Sequence, residues 1–140
     1  MLAVAAGLAG SIQVALMSRL GERIGVLEAL AFSTALTAGI AVVILLLARA
    51  SLAGFERAVH QPWWMLLGGV MGLVIVFSIT YAGRRIGVTA TVGILIAGQL
   101  VMGAAIDRYG LFGVDRIGIS APRAVGIALL GIGAALSLVR

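Results

Sequence analysis

Residues 26–48 read VLEALAFSTALTAGIAVVILLLA, 23 residues of almost unbroken apolar side chains with a single ionisable group, Glu28. A bilayer hydrocarbon core about 30 Å thick is crossed by roughly 20 helical residues, so this run predicts a membrane-spanning helix. Similar blocks recur along the chain. Overall 62% of residues are hydrophobic and 11% charged, against about 25% charged in soluble domains. A transmembrane barrel would instead show alternating segments of about 10 residues, and these blocks stay apolar for nearly twice that length. The predicted fold class is therefore an all-α integral membrane protein.

Charges and helix breakers divide the chain into five expected spans of one transmembrane domain over 1–140, at about 2–17, 26–48, 62–81, 88–106 and 122–139. The first block lacks the basic start and small-residue cleavage site of a secretory leader, and is read as the first membrane helix. It is expected to stop near Met17, before SRLGER, with Arg19 reaching for the interface. The second span should end at Arg49, ahead of a polar loop, RASLAGFERAVHQ. Pro62 suits the opening of the third span, and Trp63 and Trp64 fit an aromatic interfacial belt. AGRRIG is expected as a tight turn after Tyr81, and Pro122 opens the last span. Arg-Ile-Gly occurs three times, at Arg23, Arg85 and Arg116. Each copy is read as a membrane exit, with Gly permitting a left-handed turn and Arg anchoring to headgroups.

Orientation normally follows the bias of basic residues in short loops. With five spans, one side holds Arg49, Arg57, Arg108, Arg116 and Arg123, and the other holds Arg19, Arg23, Arg84, Arg85 and Arg140. Five oppose five. The balance predicts insertion in both orientations and pairing of each chain with an inverted copy, an antiparallel homodimer of ten helices. Such inversion has a use, because many transporters are inverted repeats rocking about a site at the bilayer midplane. The net charge of +5 is assigned to lipid headgroups, since the arginines lie between apolar blocks. No nucleic-acid partner is expected.

Helices in lipid associate through close backbone approach at small residues. Gly68, Gly69 and Gly72 in the third span and Ala31, Ala35 and Gly39 in the second form such stripes and are expected at helix contacts. Polar residues within spans are the default functional candidates: Gln13, Ser33, Thr34, Thr37, Tyr81 and Gln99. Serine and threonine can bond back to their own helix, whereas a glutamine amide offers two donors and an acceptor that are harder to satisfy. Glu28 shares a helix face with Ala31, Phe32, Ala35 and Gly39, and Thr37 lies on the opposite side. Glu28 admits two readings. In one it is a first-turn carboxylate favoured by the helix N-terminus, pairing with Arg19 or Arg23. In the other it is desolvated, which makes a carboxylate easier to protonate, and exchanges a proton for a cationic substrate.

The chain has no cysteine and one histidine, and no P-loop or metal-ligand cluster. GGVMG lies inside an apolar span and is not a phosphate cradle. No enzymatic activity and no cofactor are expected.

AGQL in the fourth span, DRYGLFG after it, the Pro122–Arg123 start of the fifth, and Gln13 followed by SRLGERIG together resemble the YdcZ-type family. These are small bacterial inner-membrane proteins of the drug/metabolite transporter superfamily. The resemblance covers essentially the whole chain. It implies a five-helix unit in the inner membrane and a transporter-like antiparallel pair, with Gln13, Gln99, Asp107 and Arg108 as matching positions. The expected function is a secondary transporter or exporter of a small metabolite or amphipathic cation, with proton coupling open through Glu28. A non-transporting assembly or regulatory subunit and a passive channel are the alternatives.

Overall fold

A chain in lipid has no water to satisfy its backbone, so every peptide group must bond within its own segment or a closed barrel. The computed structural model describes residues 1–48 and 53–138, and all regular structure among them is helical. Helix α1 spans Leu2–Ile24, α2 Val26–Leu47, α3 Ala53–Val59, α4 Trp63–Ile86, α5 Val88–Tyr109 and α6 Ala121–Leu136, with a single 3₁₀ turn at Leu111–Gly113. Four of these helices, α1, α2, α4 and α5, are long and apolar enough to cross a bilayer. Helix α6 is apolar but has 16 residues, a little short of a full crossing. Arg49 and residues 139–140, expected at the ends of the second and fifth spans, lie outside the described residues.

Several boundaries differ from expectation, and for one reason. Polar residues at a membrane exit end the apolar run but not the helix. Helix α1 runs through SRLGER to Ile24, where Arg19 and Glu22 form an i,i+3 ion pair at 3.2 Å that suits continued helix. The AGRRI part of the expected turn AGRRIG is likewise helical, so α4 reaches Ile86. Part of the expected polar loop after α2 is the short helix α3. Pro62 stands just before α4, its carbonyl accepting the Met65 N–H at 2.9 Å.

The connections α1–α2 and α4–α5 are single glycines. Gly25 has φ 100°, ψ 154° and Gly87 has φ 83°, ψ 166°. These angles are not the left-handed helical turn expected of Arg-Ile-Gly. They lie in a region that only glycine enters without strain, and they let one helix stop and the next begin without a loop. Both junctions extend the repeated triplet to Gly-x-Arg-Ile-Gly-Val, at 21–26 and 83–88. The third triplet is no helix exit, because Gly118 lies in a non-helical segment and lacks a positive φ. Among the described residues a left-handed helix cap is found instead at Gly110, φ 65°, ψ 39°, ending α5.

The described residues group into two compact units. In the unit Leu16–Arg84, the end of α1 meets the end of α4. Thr80 is fully buried, and a Cβ added at Gly21 would come within 2.8 Å of its methyl. The Gly21 carbonyl, near the C-terminus of α1, accepts the Gly25 N–H at 3.1 Å and the Arg84 guanidinium at 3.3 Å. A cation thus sits where the helix dipole favours one. Met17, Ser18, Ala29, Ile79 and Gly83 are also buried in this unit.

The unit of Met1–Ala15 and Arg85–Arg140 is organised by α5 packing on α6. A Cβ on Gly93 would lie 3.4 Å from the Ala134 Cα, so the two backbones approach closely there. At the other end of this pair Asp107 accepts a bond from Arg123. Each charge alone has the wrong sign for its own helix end, an acid in the last turn of α5 and a base in the first turn of α6. Together they cancel. The connecting segment also folds back, with the Ile117 N–H bonding to the Asp107 carbonyl at 2.8 Å and the Arg116 side chain lying over Gly110.

Gly25→Ala and Gly87→Ala should each destabilise the detergent-solubilised protein by about 1–3 kcal/mol, while Gly118→Ala changes little, as read by thermal unfolding monitored by circular dichroism. In a double-mutant cycle, Asp107→Ala and Arg123→Ala should show a coupling of about 1–3 kcal/mol. An Arg108→Ala and Arg123→Ala cycle should be additive.

Candidate functional site

Several hydroxyls on the spans are engaged by their own helices, Thr37 among those expected to line a site. Thr37 Oγ1 donates to the Ser33 carbonyl at 2.9 Å, Thr80 Oγ1 to Val76 at 2.6 Å, and Thr91 Oγ1 to Gly87 at 2.7 Å. This is the back-bonding that lets such residues sit in apolar helices. Ser33 is half-buried and Thr34 exposed on the single chain. Tyr81 is exposed and stacks on Phe77, with ring centroids 6.2 Å apart and planes 10° from parallel.

Glu28 lies in the first turn of α2, exposed, with its carboxylate folded over Gly25. A Cβ at Gly25 would stand 2.1 Å from Glu28 Oε2. The carboxylate therefore occupies the space that glycine leaves at the junction, beside the positive end of the helix dipole. Arg19, one of its expected partners, pairs with Glu22 instead.

The two glutamines stand apart from the hydroxyls. Gln13 lies eleven residues from either end of α1, and Gln99 eleven from the start of α5 and ten from its end. Both side chains are exposed on the single chain, and neither bonds to another described residue. An amide transferred to an apolar medium without partners costs roughly 2–7 kcal/mol. Something other than acyl chains must meet them.

The small-residue stripes are also bare. Gly68, Gly69, Gly72 and Gly39 have no atom within 4 Å of an added Cβ, and Ala31 and Ala35 are exposed. The face that Glu28 shares with Phe32, Ala35 and Gly39 is thus open within the chain. The close contacts that do form, at Gly21 and Gly93, involve glycines outside those stripes. A further feature is a cleft of about 340 Å³ between α5 and α6, lined by Thr89, Gly93, Ile96, Leu130, Gly133 and Ser137 among others. Its walls are mainly apolar, and the Ser137 hydroxyl is bonded to the Ala134 carbonyl at 2.7 Å.

The Asp107–Arg123 pair went unread as a contact in the sequence, although both residues sit in the motifs that carry the family resemblance. Sixteen positions separate them, across a segment with no periodicity to reveal the fold-back. The Gly21–Thr80 crossing joins α1 to α4, and the extension of α1 past its apolar block brings it about.

These elements offer hydrogen-bonding amides on apolar spans, and known proteins place them in context. A family model described as "Putative inner membrane exporter, YdcZ" matches residues 1–136. The chain is 28% identical over 132 residues to the "Inner membrane protein YdcZ" of Escherichia coli (strain K12), an alignment covering 94% of this chain and 88% of that protein. No solved structure matches the chain. Membrane-length helices and a match over almost its whole length show that the chain belongs to the YdcZ family of inner-membrane proteins.

Proposed function

We propose that the protein is a secondary exporter of a small metabolite or amphipathic cation, working as an antiparallel homodimer in the inner membrane. The observation that carries this reading is the pair of unpartnered amides, Gln13 and Gln99, at the midpoints of two membrane-length helices. A single chain leaves them against lipid. A second chain can cover them, and the five-to-five distribution of arginines lets that chain insert upside down. Bare glycines at 39, 68, 69 and 72 supply surfaces where a second backbone can come close. The family's exporter description supports transport as the purpose of the pair.

The drive is a solute gradient and not nucleotide hydrolysis, as the sequence holds no P-loop. Glu28 serves the α1–α2 junction in this reading. Its carboxylate fills the space above Gly25 at the end of α2, far along the helix from the midpoint where a transported solute would be held.

Fusions of the C-terminus to alkaline phosphatase and to a green fluorescent protein test the topology. Both should give signal, one reporting each compartment, and Leu2→Arg should shift the ratio by adding charge to one side. Activity confined to one reporter in the native chain would end the antiparallel reading. In proteoliposomes, flux of a transported solute should saturate and survive Glu28→Gln. Loss of its pH dependence in that variant would restore the carboxylate as a coupling group.

A further inference from the structure

We infer that Gln13 and Gln99, together with the same residues of an inverted second copy, form an uncharged hydrogen-bonding site at the bilayer midplane that takes a neutral polar solute. The inference rests on the antiparallel exporter reading and narrows its substrate class.

Depth is the first argument. With a rise of about 1.5 Å per residue, Gln13 lies about 5 Å from the middle of the apolar run 2–17 and Gln99 about 3 Å from the middle of the run 88–106, both well inside a hydrocarbon core of about 30 Å. Inverting a chain in the membrane exchanges its ends and leaves only the midplane at its own depth. Residues placed at helix midpoints are therefore those that meet their counterparts in an inverted copy. A residue such as Arg23, at the end of α1, would meet the opposite end of its partner.

Charge is the second. The ionisable group nearest to Gln13 along α1 is Arg19, and the nearest along α5 to Gln99 is Asp107, eight residues away. Every Asp and Glu among the described residues lies towards a helix end or in a connection, Glu28 included. A cation held at the midplane would find no counter-charge. Two amides from each copy instead provide donors and acceptors together, which suits a solute carrying amide, hydroxyl or ring N–H groups. Such a solute replaces the partners that the single chain withholds from these side chains, and water can do so between transport cycles.

The chain has no native cysteine, so single cysteines report each position without background. Gln13→Cys and Gln99→Cys should react in proteoliposomes with a water-soluble methanethiosulfonate about tenfold faster than Leu8→Cys and Val101→Cys, because a thiol in apolar surroundings yields little thiolate. Leu8 and Val101 are exposed on the single chain but lie on other faces of the same helices. Tetraphenylphosphonium should give no protection. Equal, slow labelling at all four positions, or protection by this cation, would overturn the site. Should Gln13→Cys not fold, as judged by circular dichroism, Gln99→Cys carries the test with its own control.

Failure of the underlying dimer reads out separately. Arg23→Cys should not cross-link to itself through a short bifunctional thiol reagent in an antiparallel pair, since the two residues lie at opposite faces. Efficient Arg23→Cys self-linking would sink the inverted pair whatever the labelling rates. Slow Gln13→Cys labelling without such linking would sink only the midplane site.

Discussion

Close approach of backbones where one residue has no side chain is the contact on which the packing depends. Lipid is as apolar as leucine, so burying large side chains between helices gains little there. The buried positions reflect this: Ala29, Ala90, Ala104, Ala134, Ser18, Thr80 and Thr91 stand beside only a few larger residues. Gly21 against Thr80 and Gly93 against Ala134 set how near the helices come. At the first of these the gain is also electrostatic, because proximity lets Arg84 reach the carbonyl of Gly21. A larger residue at position 21 would separate the helices and leave that guanidinium short of its acceptor.

The same physics explains which features were legible in the sequence and which were not. Long apolar runs force helices, because nothing else satisfies a backbone in lipid, and α2 and the cores of α1, α4 and α5 lay where their composition placed them. The ends were harder. Arginine and glutamate mark where the membrane stops, yet they are good helix formers, so α1 and α4 continued to the glycines whose positive φ ends them, Gly25 and Gly87. Repetition of Arg-Ile-Gly marked two true junctions and one false one. The residues just beyond each triplet make the difference. Val26 and Val88 each begin a new apolar helix, whereas Ile119 leads to Ser120 and Pro122, which start α6 only after an extended segment.

Glu28 shows the limit of a helical-wheel argument. Angular position placed it on a face of small residues, and such faces usually mark contacts. The face is open in the chain, and the carboxylate turns instead along the axis, towards the glycine that precedes its own helix. A wheel cannot show that motion. Conversely, nothing in the wheel singled out Asp107, whose meaning comes from a segment folding back to bring Arg123 and the Ile117 N–H to one residue.

The two faces of the membrane are constructed unlike each other, although their arginine counts agree. If each apolar helix crosses once, both single-glycine junctions fall on one side, and α3 with the Gly110–Ser120 segment falls on the other. One side is short, since a single residue, Gly25 or Gly87, joins its helices. On the other, the Gly110–Ser120 segment is longer and is held where Asp107 meets Arg123. In an inverted pair each membrane face then presents one short end beside one longer end. The pair as a whole becomes two-fold symmetric while each chain is not. For the exporter proposed above, that symmetry would make the outward- and inward-open shapes energetically equivalent for the protein alone and leave solute gradients to decide the direction of net movement. A parallel pair would keep its two faces different and favour one shape before any solute bound.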